Sequence, residues 1–451
     1  MVATKSVAVA YHSTRALTVC FNAVSFRITL RIFILIQRFF HMSTRSSASP
    51  LASNSFAYIT FLAGVCAALH VWKLPPALPE LQRQLGMTLV ESGFLLSLVQ
   101  VGGMTLGVLV GLVAEKIGLR RCVLAGLTLL AASSAVGPLF DSKLALLLSR
   151  GIEGLGFLMV VMPAPGMIRR MVEPAYLSRL LGLWGAYVPL ATILALVFGS
   201  WLLSVASWQV LWWVLALLTA VIGVVIYSKV PSDAVYRVAG SDDPTASKAP
   251  RALALVRQTL TSKNVWLVTL CAMVYASQWM AVVGFLPSIY VAEGFSGTTA
   301  GLMAALVGGS NALGSLGGGR LVHRGFQPHN LIITAFVTMS FCTIIAFGVG
   351  APSWLQLTMA LIFSAVGGLV PGNMFFLALQ MSPSREATST SVGLLQQCLS
   401  FGQFIGPPIV AWVATLAGNW HMTWVVSVVL SAFGVFMALN LGKAMRARAL
   451  A

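Results

Sequence analysis

The chain has 451 residues, 58% of them hydrophobic and only 9% charged, and its mean hydropathy is +0.89. Soluble globular domains carry about 25% charged residues, so this composition excludes a soluble enzyme or binding module and makes lipid the solvent. The net charge of +17 would suit a nucleic-acid partner. The basic residues instead lie in short loops between apolar runs rather than on one polar face, so a lipid bilayer is the expected partner and nucleic acid is not. The cysteines (Cys20, Cys66, Cys122, Cys271, Cys342 and Cys398) are scattered without a CxxC or metal-ligand spacing and read as small buried residues. No metal or cofactor is expected.

Residues 1–55 form an N-terminal extension. Its first part, 1–41, mixes Arg15, Arg27, Arg31 and Arg38 with apolar residues and holds no acid. It fits neither a signal peptide nor a span, and a start at Met42 is the expectation; a basic surface segment is the other reading. Apolar runs then place six helices near 56–75, 89–112, 122–140, 143–166, 180–204 and 208–228, within a first bundle spanning 56–228. A polar linker, 229–263, carries Ser241-Asp242-Asp243-Pro244 and basic residues. Six more runs follow near 264–289, 297–318, 330–349, 353–380, 389–416 and 421–442, a second bundle over 264–442, and then a short tail, 443–451. At about 20 residues per span, the chain is filled by twelve transmembrane helices.

Of the 28 lysines and arginines, 24 fall in segments that lie on one side if the N-terminus is cytoplasmic. The exceptions are Lys73, Arg83, Lys143 and Arg150. This asymmetry puts both termini and the linker in the cytoplasm. Lys73, near the predicted end of the first helix, is expected to snorkel to the outer interface. The halves also repeat. Leu78-Pro79 recurs as Leu286-Pro287, Gly111 as Gly319 and Pro163 as Pro371, each 208 residues on, and Trp208 and Trp212 recur as Trp420 and Trp424 at an offset of 212. Landmarks in one order across several helices point to duplicated six-helix units.

After the second helix stands Gly111-Leu-Val-Ala-Glu115-Lys116-Ile-Gly118-Leu-Arg120-Arg121. Gly111 permits close helix approach, Glu115 suits a neighbouring helix N-terminus, and Gly118 supplies a tight turn. The string resembles the signature loop of the major facilitator superfamily. Its second-half echo, Gly319-Arg320-Leu-Val-His323-Arg324-Gly325, replaces the acid by His323. The resemblance implies a gate latch made by Gly111, Glu115, Lys116, Gly118, Arg120 and Arg121.

The fourth helix opens with Arg150-Gly-Ile-Glu153-Gly154-Leu-Gly156, which resembles the superfamily's Arg-x-x-x-Gly-x-Gly helix. Arg150 and Glu153, three apart, share a face inside an apolar span, where a charge is costly and therefore faces a cavity or a partner. Their counterparts 208 residues on are Thr358 and Leu361, so the repeat keeps the scaffold and drops the charges. Arg150 is the candidate anion-binding residue and Glu153, the only acid deep in a span, the candidate proton carrier; a purely structural ion pair is the alternative. Among polar residues inside spans are His70, Gln278, Asn373 and Gln396. The resemblance lines the cavity with helices 1, 4, 7 and 10, favouring His70, Gln278 and Asn373, with Gln396 of helix 11 added; interhelical bonding is the competing role for each.

Gly402-Gln403-Phe-Ile-Gly406-Pro407-Pro408 in the eleventh helix resembles a pattern typical of the fifth helix of superfamily antiporters. The fifth helix here has Gly182, Gly185 and Pro189 without a Gly-Pro pair, which counts against drug–proton antiport. Val161-Met162-Pro163, Ile168-Arg169-Arg170, Gly182-Leu183-Trp184 and Leu78-Pro79 resemble the cyanate-permease-like branch. That resemblance implies an arginine in the first helix, where this chain reads Ala68-Leu-His-Val-Trp-Lys73.

The expected fold is an all-α membrane protein of twelve transmembrane helices in two pseudo-symmetric six-helix bundles. The expected function is secondary active transport by alternating access, with proton-coupled uptake of a small organic or inorganic anion. The alternative is efflux of a hydrophobic or drug-like compound by proton antiport. An enzyme is not expected, since no HExxH, GxSxG or paired catalytic acids occur in the spans. A monomer in the bacterial inner membrane completes the expectation.

Overall fold

The computed structural model describes residues 54–450 except 141, 174–175, 178–179, 181–182, 234–247 and 385. The N-terminal extension, with Met42 and Cys20, and the middle of the linker lie outside them, as do the side chains of Gly111, Glu115 and Lys116. A backbone surrounded by hydrocarbon must satisfy its own N–H and C=O groups, which leaves helices or closed barrels; the described residues contain helices and no strands.

The first half holds α1 (Asn54–Trp72, continued by Leu74–Leu85), α2 (Leu89–Ser97, continued by Val101–Ile117), α3 (Leu119–Val136), α4 (Lys143–Val161, continued by Ala164–Met171), α5 (Tyr187–Val205) and α6 (Trp208–Lys229). A linker helix, Lys248–Leu260, precedes the second half. That half holds α7 (Lys263–Ala292), α8 (Gly297–His323), α9 (Pro328–Thr343), α10 (Ser353–Gly367, continued by Leu369–Gln380), α11 (Thr388–Ala417) and α12 (Thr423–Leu450). Among the described residues, eleven helical stretches are long and apolar enough to cross a membrane. The twelfth, α8, is 27 residues long but rich in glycine, which lowers its hydropathy without shortening it. Below, the linker end is the end of the bundle where α6 stops and α7 starts; the far end is the opposite one.

The first helix runs further than its apolar composition predicts. After a single turn residue, Lys73, it resumes at Leu74 and ends only at Leu85. Pro75 and Pro76 occupy its first turn, where a missing N–H costs nothing. Gly86 then stops it in a left-handed conformation, φ 59°. The next helix starts on a capping box: the Thr88 side chain accepts from the Glu91 N–H and Glu91 accepts from the Thr88 N–H. The same punctuation returns 208 residues later, with Gly294 at φ 93° and Ser296 accepting from the Thr299 N–H.

The two halves meet tightly toward the far end, and the meeting points obey the repeat. A Cβ placed on Gly93 of α2 would lie 2.9 Å from the Pro408 Cα of α11. A Cβ on Gly301 of α8 would lie 1.7 Å from the Ser200 Oγ of α5. Gly93 and Gly301 are 208 apart, and so are Ser200 and Pro408. Each contact is therefore the other's mate under a pseudo-two-fold rotation that exchanges the halves. Within the second half, Gly402 and Gly406 set α11 directly on the α7 backbone; a Cβ on either would reach the Met273 or Ser277 carbonyl oxygen at 2.1 or 2.2 Å. Large exposed apolar side chains such as Leu144, Leu217, Leu313 and Leu416 stud the outer surface, as a lipid-facing wall requires.

A candidate charge-bearing site inside the first half

The fourth helix is sunk into its neighbours by the glycines of its motif. A Cβ on Gly154 would lie 2.4 Å from the Val99 carbonyl oxygen at the α2 turn, and one on Gly156 would lie 2.8 Å from the Gly126 carbonyl oxygen of α3. Only glycine permits backbones to approach that closely. This seating drives Arg150 and Glu153, about 10 and 15 Å below the far end of α4 at 1.5 Å per residue, against α1 and α2.

There they meet a residue assigned elsewhere by the sequence. Lys73 does not snorkel to an interface; it is fully buried. Because the helix continues past it, its side chain points into the bundle. Its ammonium donates to Glu153 Oε1 at 2.5 Å, Ser134 Oγ at 2.9 Å and His70 Nδ1 at 3.5 Å, and lies 4.4 Å from the centre of the Trp212 ring. Arg150 Nη1 donates to the other Glu153 oxygen and to the His70 carbonyl at 2.7 Å, and its Nε reaches the Leu95 carbonyl at 3.4 Å. His70, Lys73, Arg150 and Glu153 are all 0% exposed. Arg150 Nη2 has no hydrogen-bond partner.

Burying ions costs several kcal/mol each even after relaxation, and the cost is recovered only where opposite charges and hydrogen bonds converge. Here one carboxylate is set against two cations. The imidazole adds no charge. Thr219 donates its own proton to the Leu215 carbonyl at 2.6 Å, so His70 Nε2 must donate to Thr219 Oγ1 at 2.7 Å, leaving the Nδ1 lone pair for Lys73. The cluster thus carries one uncompensated positive charge.

The second half repeats the clasp without the charge. Gln278 stands 208 residues after His70, and Ser431 stands 212 after Thr219, the two offsets of the repeat. Gln278 Oε1 accepts from Ser431 Oγ at 3.0 Å, tying α7 to α12 as His70 ties α1 to α6. Neutral groups fill the rest: Trp279 donates to Ser364 Oγ at 3.0 Å, and Asn311 donates to Tyr275 Oη at 2.7 Å. The halves touch beside the cluster through an edge-to-face pair, Trp72 and Trp279, 5.1 Å between ring centres. Asn373 is buried, bonded to the Leu369 carbonyl and facing Gly318 of α8; Gln396 is half-buried on α11. The structure therefore gathers Arg150, Glu153 and His70 into one site and leaves Gln278, Asn373 and Gln396 apart from it. Lys73, Ser134, Thr219 and Trp212 join the site unannounced.

At the linker end, Gly118 adopts φ 114° and turns the chain into α3. The acid at that helix N-terminus is Asp233, from the segment after α6: its carboxylate accepts the Arg120 and Arg121 N–H groups at 3.0 and 3.3 Å. Arg120 in turn donates to the Tyr227 carbonyl at 2.5 Å and lies over the Tyr227 ring. Among the described residues no group of three or more His, Cys, Asp or Glu side chains could hold a metal ion.

A family model described as the Major Facilitator Superfamily matches residues 60–392 and 270–448. The chain is 24% identical over 371 residues to the 2-nitroimidazole transporter of Escherichia coli, covering 82% of this chain and 90% of that one. It is also 24% identical over 265 residues to an uncharacterized MFS-type transporter of Mycobacterium tuberculosis; that match covers 57% of this chain and spans only 36% of the relative's length. Among solved structures, a bacterial homolog of the human lysosomal transporter Spinster, in an inward-facing and occupied conformation, superposes with a TM-score of 0.74 at 14% identity. It covers 88% of this chain and 98% of its own.

Proposed function

The chain belongs to the Major Facilitator Superfamily, and on that premise we propose that it is a secondary active transporter importing a small anion together with a proton by alternating access. One observation carries the reading: a fully buried guanidinium whose Nη2 is unpartnered, in a cluster with one excess positive charge. A protein that only needed to hold α4 against α1 would balance its buried charges or use none. An anion accepted by Nη2 completes both the hydrogen bonding and the charge.

In this reading Arg150 binds the anion, Lys73 supports it, and Glu153 carries the coupling proton when the anion draws Arg150 away. His70, Gln278, Asn373 and Gln396 belong to the pathway wall, and the 111–121 loop, with Asp233 at its helix start, latches the linker end. The halves rock about a site at mid-membrane depth, and the contacts of Gly93 and Gly301 close the far end. The lysine and arginine asymmetry supports a bacterial inner-membrane location with cytoplasmic termini; a monomer is sufficient for the mechanism. Membership of the cyanate-permease-like branch is part of the proposal, and Lys73 stands there as the first-helix cation.

Proteoliposomes with an imposed proton gradient, offered labelled formate, acetate, nitrate or cyanate, test it. Arg150→Ala should abolish the uptake seen with the native chain while insertion and folding persist; unchanged uptake by that variant removes Arg150 from the mechanism. A second reading, export of a planar organic solute, is favoured by the Trp72–Trp279 pair beside the cluster and by the name of the E. coli relative. Efflux of 2-nitroimidazole that survives Arg150→Ala would select it.

A further inference from the structure

The hydrogen bonds of the buried cluster leave very little open. All three Lys73 ammonium donors are taken, by Glu153, Ser134 and His70. Both Glu153 oxygens are taken, one by Lys73 and one by Arg150. Ser134 gives its own proton to the Trp212 carbonyl at 2.9 Å. Arg150 Nη1 and Nε are committed to the Glu153 carboxylate and to main-chain oxygens of His70 and Leu95. What remains is Arg150 Nη2, the one charged donor left buried and unpartnered, and the neutral Trp212 Nε1. The charges, with the imidazole neutral as its bonds to Thr219 and Lys73 require, are two positive and one negative.

We infer that this site selects its cargo by valence, taking monovalent anions such as monocarboxylates or nitrate and excluding dianions while Glu153 is ionised. The inference rests on the proposed transport of an anion through Arg150 and names the class of that anion. A monoanion on Nη2 brings the site to neutrality. A dianion leaves a net negative charge sealed among apolar residues, the situation that proteins avoid by binding a proton instead. Glu153 is thus the valence selector. A dianion binds only with a proton already on that carboxyl, whereas a monoanion binds while Glu153 is ionised and the coupling proton follows it.

Charge arithmetic makes each variant a distinct test. Glu153→Gln raises the excess to two, so it should bind a dianion. Lys73→Met lowers the excess to zero, so it should bind no anion. The double variant Lys73→Met/Glu153→Gln returns the excess to one on Arg150 alone and should regain the native preference for monoanions in binding, without the proton coupling that Glu153 supplies. It also removes both partners of a buried pair together, which stability tolerates far better than removing one, so it remains informative if Lys73→Met fails to fold.

The measurement is thermal stabilisation of the purified full chain in detergent at pH 6.5, titrated with sodium nitrate, sodium formate, sodium sulfate and disodium malonate at constant ionic strength. The native protein should be stabilised by nitrate or formate at concentrations at least about a hundredfold below any effect of sulfate or malonate. In Glu153→Gln that gap should close to less than about tenfold, and in the double variant it should reopen. Equal stabilisation of the native protein by sulfate and nitrate, abolished by Arg150→Ala, overturns the valence inference and leaves anion transport standing. Stabilisation by none of the four anions overturns the anion reading itself. A gap unchanged in Glu153→Gln removes Glu153 from selection.

Discussion

Gly301 and Ser200 form the tightest of the far-end contacts between the halves, and one added carbon there tests whether these contacts close the far end. In Gly301→Ala the new Cβ would sit 1.7 Å from Ser200 Oγ, 2.4 Å from Ser200 Cβ and 2.8 Å from the Leu196 carbonyl oxygen. Non-bonded carbons settle at about 3.5–4.0 Å. Rotating the Ser200 hydroxyl away relieves only the first clash, because the Cβ and the backbone oxygen remain, so α5 and α8 must part by about 1 Å. Overpacking of this kind costs about 1–3 kcal/mol. The far-end-closed arrangement bears that cost and the far-end-open one does not, so the equilibrium should shift toward opening by about 5- to 150-fold, at 1.4 kcal/mol per tenfold. Gly93→Ala, the pseudo-symmetric mate, presses its Cβ to 2.9–3.0 Å from the Pro407 and Pro408 backbone and should act in the same direction with smaller size. Maleimide labelling of Ser288→Cys, a buried far-end position on α7, in an otherwise cysteine-free chain reads the shift. Labelling should accelerate in Gly301→Ala, less in Gly93→Ala, and most in the double variant. Folded variants labelled at the native rate would refute a far-end gate at these contacts.

The clasp at His70 can be tested with the protein's own second solution. His70→Gln copies the Gln278–Ser431 bond and should change stability by less than about 1 kcal/mol, whereas His70→Ala loses the hydrogen bond to Thr219 and opens a cavity, costing about 2–4 kcal/mol; melting of the purified proteins separates the two, and equal losses would show that the repeat does not govern this site. Asp233→Ala removes the carboxylate that caps α3, so about 1 kcal/mol of stability should be lost. Hydrogen exchange should speed at the Arg120 and Arg121 amides, and unchanged exchange there would mean that the cap is not held in the membrane.

Most of the fold was legible because lipid imposes a simple code: apolar runs of the right length must be helices, and a duplicated unit must repeat its landmarks. Where that code is silent, the reading strayed. Lys73 is expected at the rim because the apolar run ends near residue 75; Pro75 and Pro76, however, stand in the first turn of a continuing helix, where proline is tolerated. The amphipathic Leu74–Leu85 segment was the available signal, and it moves Lys73 from the rim to the middle of a 31-residue stretch. Asp233 carries no signal of its own, because nothing in a linear string reveals that the segment after α6 returns to the start of α3. Thr219 could have been found: applying the 212 offset to the mid-helix serine at 431 leads directly to it. Arg150 and Glu153 were found because a charge in a span is conspicuous by its cost.

The asymmetry between the halves is a consequence of their symmetry. Two copies of one scaffold meet about an axis, and a single small ligand on or near that axis cannot be served equally by both copies. Duplicating the charges would put two lysines, two arginines and two carboxylates in one apolar interior, doubling the desolvation cost without adding a second useful site. The second half instead holds Ala281 where the first has Lys73 and Leu361 where it has Glu153, and retains the parts that only hold helices together: the clasp, the capping serine and the left-handed glycine. In the proposed mechanism that division has a mechanical use. A charged half that holds the anion and a neutral half that packs against it through Trp72 and Trp279 can separate from either end without pulling ion pairs apart. The barrier to rocking then lies in apolar and aromatic contacts, each worth about 1 kcal/mol, rather than in buried salt bridges across the moving interface. Introducing one there, as Trp72→Lys with Trp279→Glu so that the net charge is unchanged, should slow exchange between the two states; exchange at the native rate would place the barrier elsewhere.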